Sequence, residues 1–161
     1  MAGHLYTAEV VWRCEGDFAK GQYSRGHLWR FDGGVEVPAS ASPSVVPLPY
    51  SKEAAVDPEE AFVAALSSCH MMTFIDLARH AKYLIESYTD KAEGVMTRIG
   101  RGQMAVTKVT LRPQVTLRAD KMPDPTWFED LHEKAHEICF IANSVKTEIV
   151  IAPEPLRLVS P

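Results

Sequence analysis

The residue with the most chemistry to offer is Cys69. It lies in Ala64-Ala65-Leu66-Ser67-Ser68-Cys69-His70-Met71-Met72, and no Asp, Glu, Lys or Arg occurs from Ala61 to Ile75. A thiolate is a strong nucleophile and the first rung of the sulfur oxidation ladder. This setting works against one, because apolar burial raises a thiol pKa. A helix start would lower it, but the macrodipole acts only over the first turn, and Cys69 stands about eleven residues into its expected helix. A reactive Cys69 therefore needs a cation brought from elsewhere. Arg is the suitable residue because it stays charged when desolvated. Arg25, in Tyr23-Ser24-Arg25-Gly26-His27, is one candidate, and Arg13 and Arg30 are others. Taken alone, a cysteine in a buried helix is most often a packing residue, and the same applies to Cys139.

A second constellation is His132-Glu133-Lys134-Ala135-His136, a literal H-E-x-x-H on an expected helix. Two histidines at i and i+4 share a face, and the glutamate could act as base on a zinc-bound water. Such a site needs a third protein ligand. After His136 the chain continues Glu137-Ile138-Cys139-Phe140, and the carboxylates left are Glu137, Glu148 and Glu154. His132 and His136 then read equally well as flank residues, packed or hydrogen-bonded. No GxGxxG, P-loop or GxSxG is present.

The elements that must position these residues are legible in outline. Residues 5–13 and 22–31 read as strands, and Asp32-Gly33-Gly34 makes a tight turn into Val35-Glu36-Val37. Residues 38–56 carry four prolines and form a long loop. Asp57-Pro58-Glu59-Glu60 is a helix start, with Asp at the N-cap, Pro at N1 and Glu60 closing a capping box, which leaves Glu59 free. That helix is expected from 58 to about 84 and, being apolar nearly all round until Asp76, to be buried on most sides. Strands follow at 87–99 and 103–118, with Gly100-Arg101-Gly102 as the turn. A second helix runs from Asp124-Pro125 to about Cys139, and a last strand covers 146–151. Three strands, helix, two strands, helix, strand predicts one α+β domain over residues 1–161.

Composition narrows the classes. The chain has 161 residues, 46% hydrophobic and 24% charged, with a net charge of −4 and no basic run, which gives no support to a nucleic-acid partner. The chargeless stretch at 61–75 is shorter than the roughly 20 residues of a membrane span. The N-terminus lacks the basic and apolar regions of a signal peptide, so a reducing, cytoplasmic setting is expected, where permanent disulfides are rare. Three cysteines, an odd number, also argue against a disulfide framework.

The segments D-P-E-E-A-F-V-A-A-L-S-S-C-H (57–70) and A-H-E-I-C-F-I-A-N-S-V (135–145), together with Y-S-R-G-H, the F-D-G-G turn and the Pro/Ser loop, resemble the OsmC/Ohr family of thiol-dependent hydroperoxide reductases. The resemblance covers nearly the whole chain. It implies an OsmC-like α+β fold of antiparallel sheets around a long buried central helix, in an intertwined homodimer. It also implies that Cys69 is the peroxidatic thiol, Cys139 the resolving thiol and Glu59 the carboxylate that holds a catalytic Arg, here Arg25. The substrate would be an organic hydroperoxide and the reductant an external dithiol, with no cofactor, metal, nucleic acid or membrane. Ten residues of helix rise about 15 Å, so Glu59 and Cys69 of one helix do not easily share one guanidinium, and two subunits are expected to contribute to each site. Two features depart from the better-known members. His70 follows Cys69 where Phe or a small residue is frequent, and Cys139 is followed by F-I-A-N rather than P-Y-S-N. A zinc hydrolase on His132, Glu133 and His136, or a non-catalytic homodimer binding a small apolar ligand, are the competing readings.

Overall fold

The N-terminal segments expected as strands over 5–13 and 22–31 do form strands, though shorter ones, Ala8–Val11 and His27–Phe31. The computed structural model describes residues 3–160, and the chain divides into two compact units, residues 1–61 and 62–161. In the first unit, β1 (Ala8–Val11), β4 (His27–Phe31) and β5 (Glu36–Ala39) form an antiparallel sheet in the order β1-β4-β5. Between β1 and β4 a small hairpin pairs β2 (Gly16–Asp17) with β3 (Gln22–Tyr23). The turn from β4 to β5 is the expected one: Gly34 has φ 79° and donates its N–H to the Phe31 carbonyl, a backbone conformation glycine takes without strain.

The strand expected over 22–31 is broken at Ser24–Gly26. There the backbone bonds leave the ladder: Ser24 donates to the Glu15 carbonyl, Arg25 to the Tyr50 carbonyl, and Gly26 to the Ser24 hydroxyl. The proline-rich loop is tied back by Ser40, which is buried and whose hydroxyl accepts the Lys52 N–H at 2.9 Å. The capping box forms as expected. Glu60 N–H donates to Asp57 at 2.8 Å, and Glu60 in turn accepts the Asp57 N–H at 3.1 Å. It opens helix α1 (Pro58–His80).

The second unit holds α1 from residue 62, then β6 (Ile85–Asp90), β7 (Glu93–Gly100), β8 (Gln103–Leu111), β9 (Pro113–Arg118), helix α2 (Pro125–Ile138), a 3-10 turn at Ala142–Ser144, β10 (Glu148–Ile151) and β11 (Arg157–Val159). Two three-stranded sheets result, ordered β10-β8-β7 and β11-β9-β6. The strands expected over 87–99 and 103–118 are each cut in two, so that their halves serve different sheets. The cut is fixed by Asp90, whose carboxylate accepts the Arg112 N–H at 2.6 Å and the Ser67 hydroxyl at 2.6 Å. The sheets are also mixed rather than purely antiparallel, since β10 lies parallel to β8 and β11 parallel to β9. Parallel pairing needs a long crossover, which α2 supplies to β10.

Helix α1 ends at His80, four residues before the expected end. Lys82 takes φ 64° and Tyr83 N–H bonds back to the Ala78 carbonyl. By length and composition α1 could cross a membrane, yet one stripe of it is core: Leu66, Cys69, His70, Phe74 and Ala78 are buried. Phe74 and Ala78 join Val115 and Ala135 in one cluster, and Leu66 joins Val109 and Leu111 in another. Gly94 of β7 lets the helix come close, for a Cβ there would meet the Val63 side chain at 2.6 Å. The opposite side is open in the single chain, with Met72 61% and Ile75 37% exposed.

Candidate active site

The buried stripe of α1 repeats every four residues through Leu66, His70, Phe74 and Ala78, with Cys69 beside it. Helix α2 opens on Asp124, whose Oδ1 accepts the Thr126 N–H at 2.9 Å and the Thr126 hydroxyl at 2.6 Å. Its inward side carries Phe128, His132 and Ala135, and Cys139 caps its C-terminus with extended backbone. Spacings of three and four residues set all these on one face. The two stripes bring the thiols together.

Cys69 Sγ and Cys139 Sγ lie 2.7 Å apart, both buried and both free. A disulfide between them would bring the sulfurs to about 2.05 Å. Cys139 donates its S–H to Cys69, and the Ile141 N–H approaches the same sulfur at 3.5 Å. The Ala142 N–H approaches Cys139 Sγ at 3.4 Å. Cys69 therefore has two donors aimed at it. Burial first, and its hydrogen bond to Cys69 second, push the Cys139 thiol up to about 11, so Cys139 keeps its proton at neutral pH. The turn carrying these donors is fastened by Asn143, whose N–H donates to the Cys139 carbonyl at 3.0 Å and whose side chain donates to the Glu137 carbonyl at 2.9 Å.

A second pair contacts across the same two helices. His70 Nε2 and His132 Nδ1 are 3.0 Å apart, with rings 5° from parallel and centroids 5.3 Å apart. Phe74 stacks on His132 at 4.2 Å and Phe128 meets it edge-on at 4.6 Å. Burial lowers the His70 pKa to about 4, helped by His136, and that of His132 to about 3, helped by His70. Both imidazoles are neutral. Glu133 is exposed while His132 is spent on His70. Among the described residues no three His, Cys, Asp or Glu side chains are gathered to hold a metal, so the H-E-x-x-H match lacks its third ligand.

Arg25 belongs to the first unit, and its whole residue is held. The Arg25 N–H donates to the Tyr50 carbonyl at 2.7 Å. Trp29 Nε1 donates to His27 Nε2 at 3.0 Å, which leaves the His27 proton on Nδ1 to donate to the Arg25 carbonyl at 2.8 Å. The guanidinium donates to the Tyr23 carbonyl at 2.5 Å and the Gly21 carbonyl at 3.2 Å, and it stacks 3.7 Å above the Tyr23 ring. It lines a cavity of about 400 Å³ with Val10, Trp12, Phe18, Tyr23 and His27. Glu59 sits in the first turn of α1, half-buried and outside the capping box. Neither Arg25 nor Glu59 is in an ion pair among the described residues. Cys14 is free and exposed.

Residues 51–154 match the family described as OsmC-like protein. The chain belongs to the OsmC-like protein family. A solved OsmC-like protein of unknown function from Vibrio cholerae is 51% identical, with a TM-score of 0.91, over 94% of this chain and 100% of that one. An organic hydroperoxide resistance protein OsmC from Legionella pneumophila is 18% identical with a TM-score of 0.61, over 97% and 98% of the two chains. One from Elizabethkingia anophelis is 19% identical with a TM-score of 0.63, over 99% and 100%. These two share the fold of this OsmC-like chain. No curated protein matches the sequence. Sequence reasoning missed two parts of this OsmC-like site. The Ile141 and Ala142 donors are backbone groups and carry no side-chain signature. The His70–His132 contact joins residues 62 apart, which only packing can bring together.

Proposed function

We propose that this OsmC-like protein reduces organic hydroperoxides through Cys69 and Cys139. The observation that carries the reading is the thiol pair itself: two buried free cysteines 2.7 Å apart, with hydrogen-bond donors converging on Cys69. The Cys69 thiolate attacks an oxygen of the O–O bond, the bond breaks, and the departing alkoxide takes a proton and leaves as the alcohol. Cys69 becomes a sulfenic acid. Cys139 then attacks the Cys69 sulfur, its proton joins the departing hydroxide as water, and a disulfide forms. An external dithiol returns both thiols by exchange and is itself oxidised. Each cycle consumes one hydroperoxide and one dithiol and yields one alcohol and one water.

Arg25 is assigned as the cation that supports the thiolate and the charge developing on the peroxide. A guanidinium stays charged where an ammonium would lose its proton, and here it borders an apolar, aromatic-lined cavity suited to the organic part of a substrate. Glu59 is assigned as its carboxylate partner within an intertwined homodimer. The exposed Met72 and Ile75 on α1 suit a protein whose helix is covered by a second copy. The cytoplasm, where dithiol reductants are abundant, is the compartment that fits.

The test is one equivalent of cumene hydroperoxide followed by mass-spectrometric mapping of the cysteines. The expected product is a Cys69–Cys139 disulfide, with Cys69→Ser abolishing turnover and Cys139→Ser leaving a Cys69 sulfenic acid. Unreacted thiols would overturn the peroxidase reading in favour of an apolar-ligand carrier. Sedimentation as a monomer would overturn the homodimer.

A further inference from the structure

Beside the apolar packing of Phe74 and Ala78 on Ala135, two polar pairs in register join the α1 and α2 stripes. Cys69 and His70 are neighbours on α1, and His132 and Cys139 are seven residues, or two turns, apart on α2 and so on the same face. One pair meets sulfur to sulfur at 2.7 Å and the other nitrogen to nitrogen at 3.0 Å.

The imidazole pair is an odd choice for a core. His70 is 1% and His132 2% exposed. Two neutral imidazoles bring two protons, and one of these lies in the shared hydrogen bond. Whichever ring donates it, one donor and one acceptor remain, on His70 Nδ1 and His132 Nε2, and both of these are buried without a partner. Orphaned buried polar atoms destabilise a fold. An aromatic hydrocarbon pair would fill the same space without that penalty, as Phe74 and Phe128 do against His132. What a buried polar pair gives in return is a defined register between the elements that carry it, because sliding one helix along the other breaks its only hydrogen bond.

We infer that His70 and His132 are positioning residues that lock α2 in register against α1 so that Cys139 reaches Cys69, and that they serve closure of the disulfide rather than oxidation of Cys69. Cys139 stands where α2 ends and is tied through the next turn to that helix: Asn143 donates its N–H to the Cys139 carbonyl and its side chain to the Glu137 carbonyl. Its reach is therefore set by the register of α2, and the last interhelical polar contact before it is His132. The inference rests on the thiol pair acting as proposed above.

Two arms separate it from that reading. In the first, the protein takes one equivalent of cumene hydroperoxide and is trapped with dimedone, which captures Cys69 as sulfenic acid before the disulfide closes. In the second, oxidised glutathione forms a mixed disulfide on Cys69, and Cys139 displaces reduced glutathione. The second arm involves no peroxide, so it reads closure even if the protein reduces none. His70→Phe and His132→Phe fill the space without the hydrogen bond. His70→Gln and His132→Asn place an amide nitrogen or oxygen near the bonded ring position. In both Phe variants the expected result is unchanged consumption of the first oxidant and closure slowed about tenfold or more, with the dimedone adduct accumulating. The amide variants should close within about threefold of the natural protein. Circular dichroism identifies a variant that has not folded, and the four substitutions guard against the loss of any one. Closure at the natural rate in folded Phe variants would overturn the lock, as would amide variants no faster than Phe variants.

Discussion

Acid should unfold the second unit by way of its two buried imidazoles, and the size of the effect follows from the structure. His70 and His132 are neutral in the fold, with pKa lowered by burial to about 4 and about 3. In the unfolded chain both return to about 6.5. Above pH 6.5 neither state binds the proton and the pair has no effect. Below it the unfolded state gains protons that the folded state refuses, so stability falls with pH until the folded values are reached. Each unit is worth about 1.4 kcal/mol per group, so the fall from pH 6.5 to about 4.5 costs roughly 3 kcal/mol for each histidine and roughly twice that for both. Typical total stability is about 5–15 kcal/mol, so this effect alone is a large share of it. The assay is urea unfolding at about pH 7.5 and about pH 4.5, on the natural chain and on a His70→Gln/His132→Asn double variant. Carboxylates and the other histidines titrate alike in both, so their difference isolates the pair. The natural chain should lose several kcal/mol more than the variant between the two pH values. Equal losses in both would refute the view that these imidazoles are buried and neutral.

Three further outcomes are expected. Cys139, held up to about 11 mainly by burial, should resist iodoacetamide below about pH 10, which a pH series of alkylation read by mass spectrometry will show. Asp90→Ala removes the acceptor of the Ser67 hydroxyl and the Arg112 N–H and should cost roughly 2–3 kcal/mol of stability in a urea titration. Arg25→Lys loses the flat stack on Tyr23 and the Nη1 hydrogen bonds to the Tyr23 and Gly21 carbonyls, so peroxide turnover should fall at least about tenfold while the melting temperature moves little.

The starts of both helices could be read directly. Asp57, Pro58 and Glu60 satisfy the first turn of α1 by local hydrogen bonds, and Asp124 does the same for α2. Such caps depend on residues two or three apart, so sequence contains them whole. The end of α1 at His80 is hard to read because no Gly or Asn follows it: Lys82 takes the left-handed φ instead. The stretch 103–118 reads as one strand because its alternation, through Val106, Lys108 and Thr110, continues past the bend. The bend exists because Asp90 collects donors from α1 and from the β8–β9 junction. The strand β11 was not foreseen. It is three residues long and gains its bonds from β9, some forty residues earlier in the chain.

For the site, sequence determined the residue types and the argument that Cys69 cannot be acidified by its own helix. Family resemblance paired it with Cys139. Only tertiary structure set the two sulfurs in contact, turned two backbone N–H groups onto them, and converted His132 from a metal-like motif into the partner of His70. The physical reason is common to all of these. A side chain's partners along a helix or turn are written within a few residues of it, whereas its partners across the core are decided by which faces two elements bury against each other, and that choice belongs to the packing of the whole unit.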